Sequence, residues 1–268
     1  MQSLANGLSI GRSPCAYVSD MPSHSDTDEM FWRRTRRFSP GASIYAEGGR
    51  SGGVEVVLSG WLAEAVILRD GRRYVFSFEL PGDLVRLSSP SEGRMFFALT
   101  NTTLGDADLL PASRSAGWAT RLADAASRDE EQLMNHLVRV GRLTAAERVL
   151  NLLLELYDRL ERVGLAKNDS FRMPITQQVF GEALGLSLVH INRTLQKLRR
   201  DNLITLRRGV VTLHDRYKLA GIACYEPWRF EAPAPAARAP AVRPNEARSW
   251  ASGTVVRPPA SVASHSAA

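Results

Sequence analysis

The segment TQQVFGEALGLSLVHINRTLQKLRR, at residues 176–200, constrains the fold of this chain more than any other. Its apolar residues follow the spacing of two short helices, and Gly185 stands where a left-handed residue ends the first of them. Thr176 and Ser187 precede the two helices, where a hydroxyl can accept from free backbone N–H groups. Gly181 is small where two closely crossing helices leave no room for a side chain. The segment therefore predicts a helix-turn-helix.

The second helix of this segment has one apolar face and one polar, basic face. Three apolar side chains recur at i, i+4 and i+7 and therefore point inward: Ile191, Leu195 and Leu198. The opposite face carries Val189, Arg193, Gln196, Lys197 and Arg200, with Asn192 at its edge. Arginine pairs with the guanine edge, asparagine with adenine, and a small apolar group with the thymine methyl. This face predicts a helix that reads DNA in the major groove.

The outward side chains divide into two groups by chemistry. Base edges are expected to meet the start of the helix, at Val189, His190, Asn192 and Arg193. For His190, which lies at the side of the helix, packing against the protein is the alternative. Phosphates are expected to meet hydroxyl, amide and cationic groups, at Thr176, Gln178, Ser187, Gln196, Lys197, Arg199, Arg200, Arg207 and Arg208. From residue 193 to residue 208, six cationic side chains face one carboxylate, a local net charge of +5.

Two β-rich runs follow the reading helix. Residues 203–206 and 210–213 flank Arg207, Arg208 and Gly209, which predicts a hairpin with a basic tip, the wing of a winged helix. The alternative is an ordinary helical hairpin whose basic face is merely solvated. We favour DNA binding because the glycine, the caps and the apolar positions agree at every step.

Residues 32–111 carry β signals. The turn pairs Ser59-Gly60, Asp70-Gly71 and Pro81-Gly82 are nearly evenly spaced. They separate three runs rich in strand-forming residues, and two more runs follow: 54–58, 61–68, 73–80, 95–100 and 103–110. Short strands at even spacing predict a sandwich or jelly roll, which at this size encloses one pocket at most.

Residues 116–142 are predicted to form a long helix. Leu133, Leu137 and Val140 step by four and three, the spacing of a two-helix seam, and Ala126 extends the row. We favour a dimer seam, because a protein that reads a two-fold DNA site needs a partner. Packing of this helix on its own roll is the alternative.

A capping box opens the next helix. Thr144 and Glu147 have the spacing at which each side chain satisfies the other's backbone N–H, and Gly164 is placed to close that helix.

Composition excludes several classes of protein. Residues 1–28 and 229–268 are rich in small and polar residues and are predicted to be disordered tails. No apolar run is long enough to span a bilayer, and Cys15 and Cys224 are too few for a disulfide framework or an iron–sulfur site, so we expect a cytoplasmic protein without a cofactor or metal. A jelly-roll metalloenzyme is disfavoured, because no histidine lies between His24 and His136 to supply its ligands.

A jelly roll, a long connecting helix and a C-terminal winged helix together resemble the CRP/FNR superfamily of bacterial transcription regulators. The likeness is carried by VLSGWLAEAVILRDGRRYVFSFELPGDLV in the roll and by PITQQVFGEALGLSLVHINRTLQKLRRDNLI in the winged helix-turn-helix, which we call the reader. The resemblance implies an α+β fold with a cyclic-nucleotide-binding-like roll at 29–115, a dimerisation helix at 116–142 and a winged helix-turn-helix at 143–228. It also implies a homodimer that binds a palindromic promoter site and meets RNA polymerase.

The resemblance places Val189, Asn192 and Arg193 at the family's base-contacting positions, which the helical periodicity had already placed outward. The family usually has glutamate where this chain has Val189. We therefore expect Arg193 to keep a guanine contact, while the preference for the neighbouring base is altered or relaxed.

The effector pocket departs from the family pattern. In cyclic-nucleotide-binding members a Gly-Glu pair holds the ribose and an Arg-Ser pair neutralises the cyclic phosphate; the corresponding positions here are Arg86-Leu87 and Met95-Phe96. A pocket that lacks this arginine and is lined by Met and Phe cannot compensate a phosphate charge. The sequence therefore predicts a degenerate pocket that does not bind cyclic AMP and that takes an apolar or other small ligand, or none.

A nucleic-acid-binding protein without a regulatory role is the remaining alternative. Its binding would be steeply salt-dependent and indifferent to sequence, whereas a regulator should prefer one palindrome by several kcal/mol.

Overall fold

The computed structural model describes residues 34–45, 53–87, 93–110, 113 and 117–226. The two predicted tails lie outside the described residues. Within the described part of the chain, no helix has both the length and the apolar character needed to cross a membrane.

The N-terminal half folds as the predicted jelly roll. Its eight strands are β1 (Arg36–Phe38), β2 (Ser43–Ile44), β3 (Val54–Ser59), β4 (Leu62–Ile67), β5 (Arg73–Glu79), β6 (Leu84–Arg86), β7 (Arg94–Ala98) and β8 (Thr102–Asp106). They form two antiparallel sheets of four strands, in the orders β1-β8-β3-β6 and β2-β7-β4-β5. Both orders place distant segments side by side, as a roll requires.

The predicted turns of the roll are present. Gly60, Gly71 and Gly82 all have positive φ. At Gly60 a side chain is excluded as well, since a Cβ would lie 2.4 Å from the backbone oxygen of Asn101. The run predicted at 103–110 is only partly a strand: it ends at Asp106, whose carboxylate accepts from the backbone N of Asp108 and opens a 3-10 turn. This cap is the physical reason why β8 stops there.

Two helices connect the roll to the reader. Helix α1 (Trp118–Arg142) packs Ala125 into an apolar cluster of the roll that includes Val56 and Leu84. Helix α2 (Ala145–Arg162) begins with the predicted capping box of Thr144 and Glu147, and is followed by Gly164 with φ +73°. Most of α2 is buried, so it forms the core on which the C-terminal half is built.

The C-terminal half is a winged helix-turn-helix. It consists of α3 (Gln177–Leu184), α4 (Leu188–Arg200) and α5 (Arg216–Ile222), with the strands β9 (Ala166–Lys167), β10 (Ser170–Arg172), β11 (Ile204–Arg207) and β12 (Val210–Leu213). The predicted wing is the β11–β12 hairpin, which continues into a four-stranded sheet in the order β11-β12-β10-β9.

Candidate nucleic-acid interface

The turn between α3 and α4 has the local structure that the sequence predicts. The hydroxyl of Thr176 accepts from the backbone N of Val179, and that of Ser187 from the backbone N of His190, both at 3.3 Å. Gly185 ends α3 with φ +64°. A Cβ on Gly181 would lie 2.6 Å from the backbone oxygen of Leu186, so only glycine fits at this crossing.

Helix α4 separates an apolar from a polar face as predicted. Ile191, Leu195 and Leu198 are buried against the protein. Val189 is 60% exposed, and Arg193 is exposed beside it, whereas Asn192 is half-buried. His190 is exposed, so the alternative that it packs against the protein is wrong.

The side chains assigned to phosphates all lie on the surface of the reader. Every one is exposed: Thr176, Gln178, Ser187, Gln196, Lys197, Arg199, Arg200, Arg207 and Arg208. Gln178 is engaged, since its Nε2 donates to Oε1 of Glu182 at 3.1 Å. Among the described residues, the cations of α4 and of the wing form no ion pair with a carboxylate. Their charge is therefore available to an anionic partner.

The wing presents two arginines on a tight turn. Arg207 and Val210 are the last paired residues of β11 and β12, so Arg208 and Gly209 form a two-residue loop. Both loop residues have positive φ, 50° and 76°, as the tightest hairpins require. The adjacent Arg207 and Arg208 are thus held at the tip of a hairpin.

Comparison with known proteins supports the assignment of a helix-turn-helix to this part of the chain. The model of the Crp-like helix-turn-helix domain matches residues 147–222. The nitrogen fixation regulation protein FixK of Rhizobium meliloti (strain 1021) is 32% identical over 179 residues, which cover 65% of this chain and 80% of that protein. This chain belongs to the CRP/FNR family of transcription regulators.

Other members of the CRP/FNR family are similar in sequence and in fold. FixK of Bradyrhizobium diazoefficiens is 29% identical over 71% of this chain and 82% of its own length. The solved structure of FixK2 from Bradyrhizobium japonicum covers 70% of this chain and 96% of its own, at 27% identity and a TM-score of 0.59.

Helix α1 of this CRP/FNR protein leaves an apolar surface uncovered. Leu133, Met134, Leu137 and Val138 are 46–57% exposed, and we call these four residues the α1 row. The sequence predicted Leu133 and Leu137 for this surface but missed Met134 and Val138. Of the other two predicted seam residues, Ala126 is exposed and Val140 is half-buried.

The opposite face of α1 is occupied by polar side chains that face the rest of the chain. His136 and Arg139 are buried; Arg139 pairs with Glu155 and donates from Nε to the Asn151 side-chain oxygen at 2.9 Å. The tyrosine hydroxyl of Tyr74 lies 2.6 Å from Nε2 of His136. The helix thus contacts its own roll and α2 on this side, while the α1 row remains exposed.

The cavity of the roll differs from the predicted effector pocket. A cavity of about 410 Å³ lies between the roll and α1, and Arg86 and Phe96 line it as expected. The prediction that Leu87 and Met95 line it is wrong. Leu87 is 1% exposed and packs in the interior cluster of the roll. Met95 is buried on the face of β7 opposite Phe96, since side chains alternate along a strand.

The cavity is also more polar than predicted. Glu64, Glu79 and Asp129 line it together with Arg86 and Arg94. Burial raises the pKa of Glu64 to about 7 and that of Asp129 to about 6. Burial, with the charge of Asp83, raises the pKa of Glu79 to about 8. The expectation of an apolar pocket was therefore wrong. The three carboxyl groups come from β4, β5 and α1, so the sequence did not indicate that they lie together.

Proposed function

We propose that this transcription regulator binds a palindromic promoter site as a homodimer, in a sequence-specific manner and without cyclic AMP. The observation that carries the proposal is the exposed face of α4, where Val189 and Arg193 stand beside cations without a carboxylate partner among the described residues. An exposed valine flanked by such cations suits the floor of a major groove.

Within this proposal the base edges meet Val189, His190, Asn192 and Arg193. The nine exposed side chains assigned to phosphates surround them and fix the register of the protein on the duplex without reading sequence. Arg193 supplies the guanine contact and Val189 an apolar contact to a thymine methyl.

The homodimer is supported by the α1 row. Four adjacent apolar side chains on one helix, each about half exposed, are an unfavourable surface for a monomer unless another chain covers them. Helix α1 has 25 residues and is therefore about 37 Å long, enough for a two-helix seam. Pairing through this row would present two recognition helices, which must lie about 34 Å apart to enter successive major grooves.

Independence from cyclic AMP is supported by the side chains that line the cavity. Glu64, Glu79 and Asp129 line this cavity, and their carboxyl groups, whether neutral or ionised, offer no positive charge to compensate a cyclic phosphate. Arg86 and Arg94 also line the cavity, and Arg94 lies 3.2 Å from an oxygen of Glu64. The guanidinium of Arg94 is therefore paired with a carboxyl group of the protein itself.

RNA polymerase is the proposed protein partner. The proposed domain boundaries are 29–115 for the roll, 116–142 for the dimerisation helix and 143–228 for the reader. The relatives are named as regulators or transcriptional activators, which supports a role that involves no catalysis.

The test is selection of bound DNA from a random pool by the purified full-length protein, with no added ligand. We expect a symmetric motif with two half-sites about one helical turn apart. A single half-site would contradict dimeric binding. Recovery of unrelated sequences, with binding that depends only on salt, would support the sequence-indifferent alternative instead.

A further inference from the structure

Arg148, on the first turn of α2, joins two helix ends that the sequence keeps far apart. Its Nε donates to the backbone oxygen of Leu143 at 2.8 Å, and its Nη1 donates to the backbone oxygen of Leu184 at 3.0 Å. Leu143 directly follows the last residue of α1 and caps that helix, and Leu184 is the last residue of α3. One half-buried guanidinium therefore connects the end of the long helix to the end of the first reader helix.

The chemistry of the two acceptors explains why this position needs an arginine. Carbonyl groups at the end of a helix lack an intrahelical donor and carry partial negative charge. A planar guanidinium can donate in two directions at once from a fixed fork, whereas the ammonium of a lysine is a single point at the end of a flexible chain. No ion pair of Arg148 is found within the described part of the chain, so the two carbonyls are its main polar partners there.

The second contact lies directly before the turn that aims the recognition helix. Gly185 follows Leu184, and a Cβ placed on Gly185 would lie 3.8 Å from Nη1 of Arg148. Two residues further, Ser187 caps α4. The guanidinium thus packs against the backbone that sets the direction of α4 relative to α1.

We propose that Arg148 is a positioning residue that sets the distance and angle between the two recognition helices of the dimer, and hence the spacing between DNA half-sites. The inference rests on the proposed dimeric function. Because α1 would carry the dimer axis and α4 the base contacts, the joint held by Arg148 determines where each α4 lies relative to that axis. Arg148 itself is not assigned to DNA, so its replacement should leave the preference for individual bases unchanged.

The experiment uses the full-length protein and the palindrome recovered by selection. Its half-sites are kept constant, and the distance between them is varied by one and two base pairs in each direction. Binding is measured for the wild type, Arg148→Lys and Arg148→Met. Arg142→Met is the matched control, because Arg142 is exposed in the last turn of α1 and donates to neither of the two carbonyls.

We expect the wild type and Arg142→Met to prefer one spacing strongly. In both Arg148 variants, the ratio of affinities for the preferred and the altered spacings should fall about tenfold. This is the size of effect expected for hydrogen bonds from a charged donor. The base preference within each half-site, measured by single-base changes, should be the same as in the wild type. A merely destabilised protein would bind every spacing more weakly and keep the same profile.

The outcomes separate the inference from the function on which it rests. If the wild type selects no symmetric site, the proposed dimeric function fails. If the wild type prefers one spacing and the Arg148 variants keep that profile, the inference is overturned while the function stands. A changed base preference in the half-site would also overturn the inference. If urea unfolding showed that Arg148→Lys does not fold, the inference would be overturned as well, because Arg148 would then act mainly on stability.

Discussion

Arg73 of the roll donates from Nε to Oε2 of Glu182 on α3, 2.8 Å away, and so ties the β4–β5 hairpin to the first helix of the reader. Both side chains are mostly buried, with 28% and 16% exposed. The guanidinium also lies over the ring of Phe97, 4.0 Å from its centroid. Charge pairing and ring stacking together fix the geometry of this contact more firmly than a surface ion pair would be fixed.

We predict that Arg73→Gln and Glu182→Gln each lower the free energy of unfolding by about 1–2 kcal/mol, since each leaves a partly buried charge without its partner. In urea unfolding, the double variant should lose less than the sum of the single losses. Arg72→Gln is the control on the same hairpin, and we expect a change within about 0.5 kcal/mol because its pair with Asp70 is exposed. Strict additivity in the double variant would show that the two residues do not interact in solution.

Arg193 and Lys197 lie one turn apart on the exposed face of α4 and are expected to act differently on DNA. Arg193→Ala should cost about 1–3 kcal/mol of binding and relax specificity at one base pair in each half-site. Lys197→Ala should weaken binding to all sequences alike and reduce the salt slope by about one. Titrations of the selected palindrome and its single-base variants at several salt concentrations measure both effects. Equal losses for every sequence in both variants would contradict the division into base and phosphate contacts.

The helix-turn-helix could be predicted from the sequence because its determinants are local. Gly185 needs a left-handed backbone, Ser187 caps the helix that follows it, and Gly181 lies where α3 and the turn meet. Each of these constraints acts within about ten residues, so residue type and spacing are enough to predict the helix-turn-helix.

The surface of α1 and the pocket could be predicted only in part, because tertiary packing decides them. Leu133 and Val140 both fit a seam by spacing, but docking of His136 and Arg139 on the roll and α2 turns Val140 half inward and Met134 outward. The carboxyl groups of the cavity come from separate elements, so no single motif contains them. Strands β9 and β10 were not predicted, because runs of two and three residues are too short to show an alternation of apolar and polar residues.

The α1 row predicts how the homodimer can be separated. Leu137→Glu should shift the protein from dimer to monomer in sedimentation experiments, because two carboxylates would face each other across an apolar seam. Affinity for the palindrome should fall by at least about tenfold, since each half-site would be bound alone. Leu165→Glu is the matched control, because Leu165 is similarly exposed but lies outside α1. A Leu137→Glu protein that remains a dimer would place the contact between subunits elsewhere.

Gly181 predicts a sharp difference between two glycine-to-alanine variants. Gly181→Ala should lower the free energy of unfolding by about 1–3 kcal/mol, because the new methyl group would overlap the backbone oxygen of Leu186. The displaced turn should also weaken specific DNA binding. Gly221→Ala, in α5, is the control: a Cβ there meets no atom within 4 Å, so alanine should be neutral or slightly stabilising. Equal stability of the two variants in urea unfolding would contradict the close approach at Gly181.

His136 predicts a specific dependence of stability on pH. Burial, followed by the charge of Arg139, lowers the pKa of His136 to about 4, below its ordinary value of 6.5. Between these two values the unfolded chain binds a proton that the folded chain does not bind, so this residue lowers the free energy of unfolding as pH falls from 6.5 toward 4. Glu64 and Glu79 act in the opposite sense between pH 8 and 4.5, because their pKa values are raised in the folded state.

The effect of His136 must therefore be measured as a difference between wild type and His136→Gln. From pH 7.5 to pH 5.5 the wild type should lose about 1 kcal/mol relative to that variant, since one unit of pKa shift corresponds to about 1.4 kcal/mol. Tyr74→Phe is the control, because it removes the hydrogen-bond partner of His136 but keeps the imidazole and its burial. It should lower stability and keep the slope with pH. If wild type and His136→Gln gave parallel curves, His136 would be as accessible to protons in the folded chain as in the unfolded one.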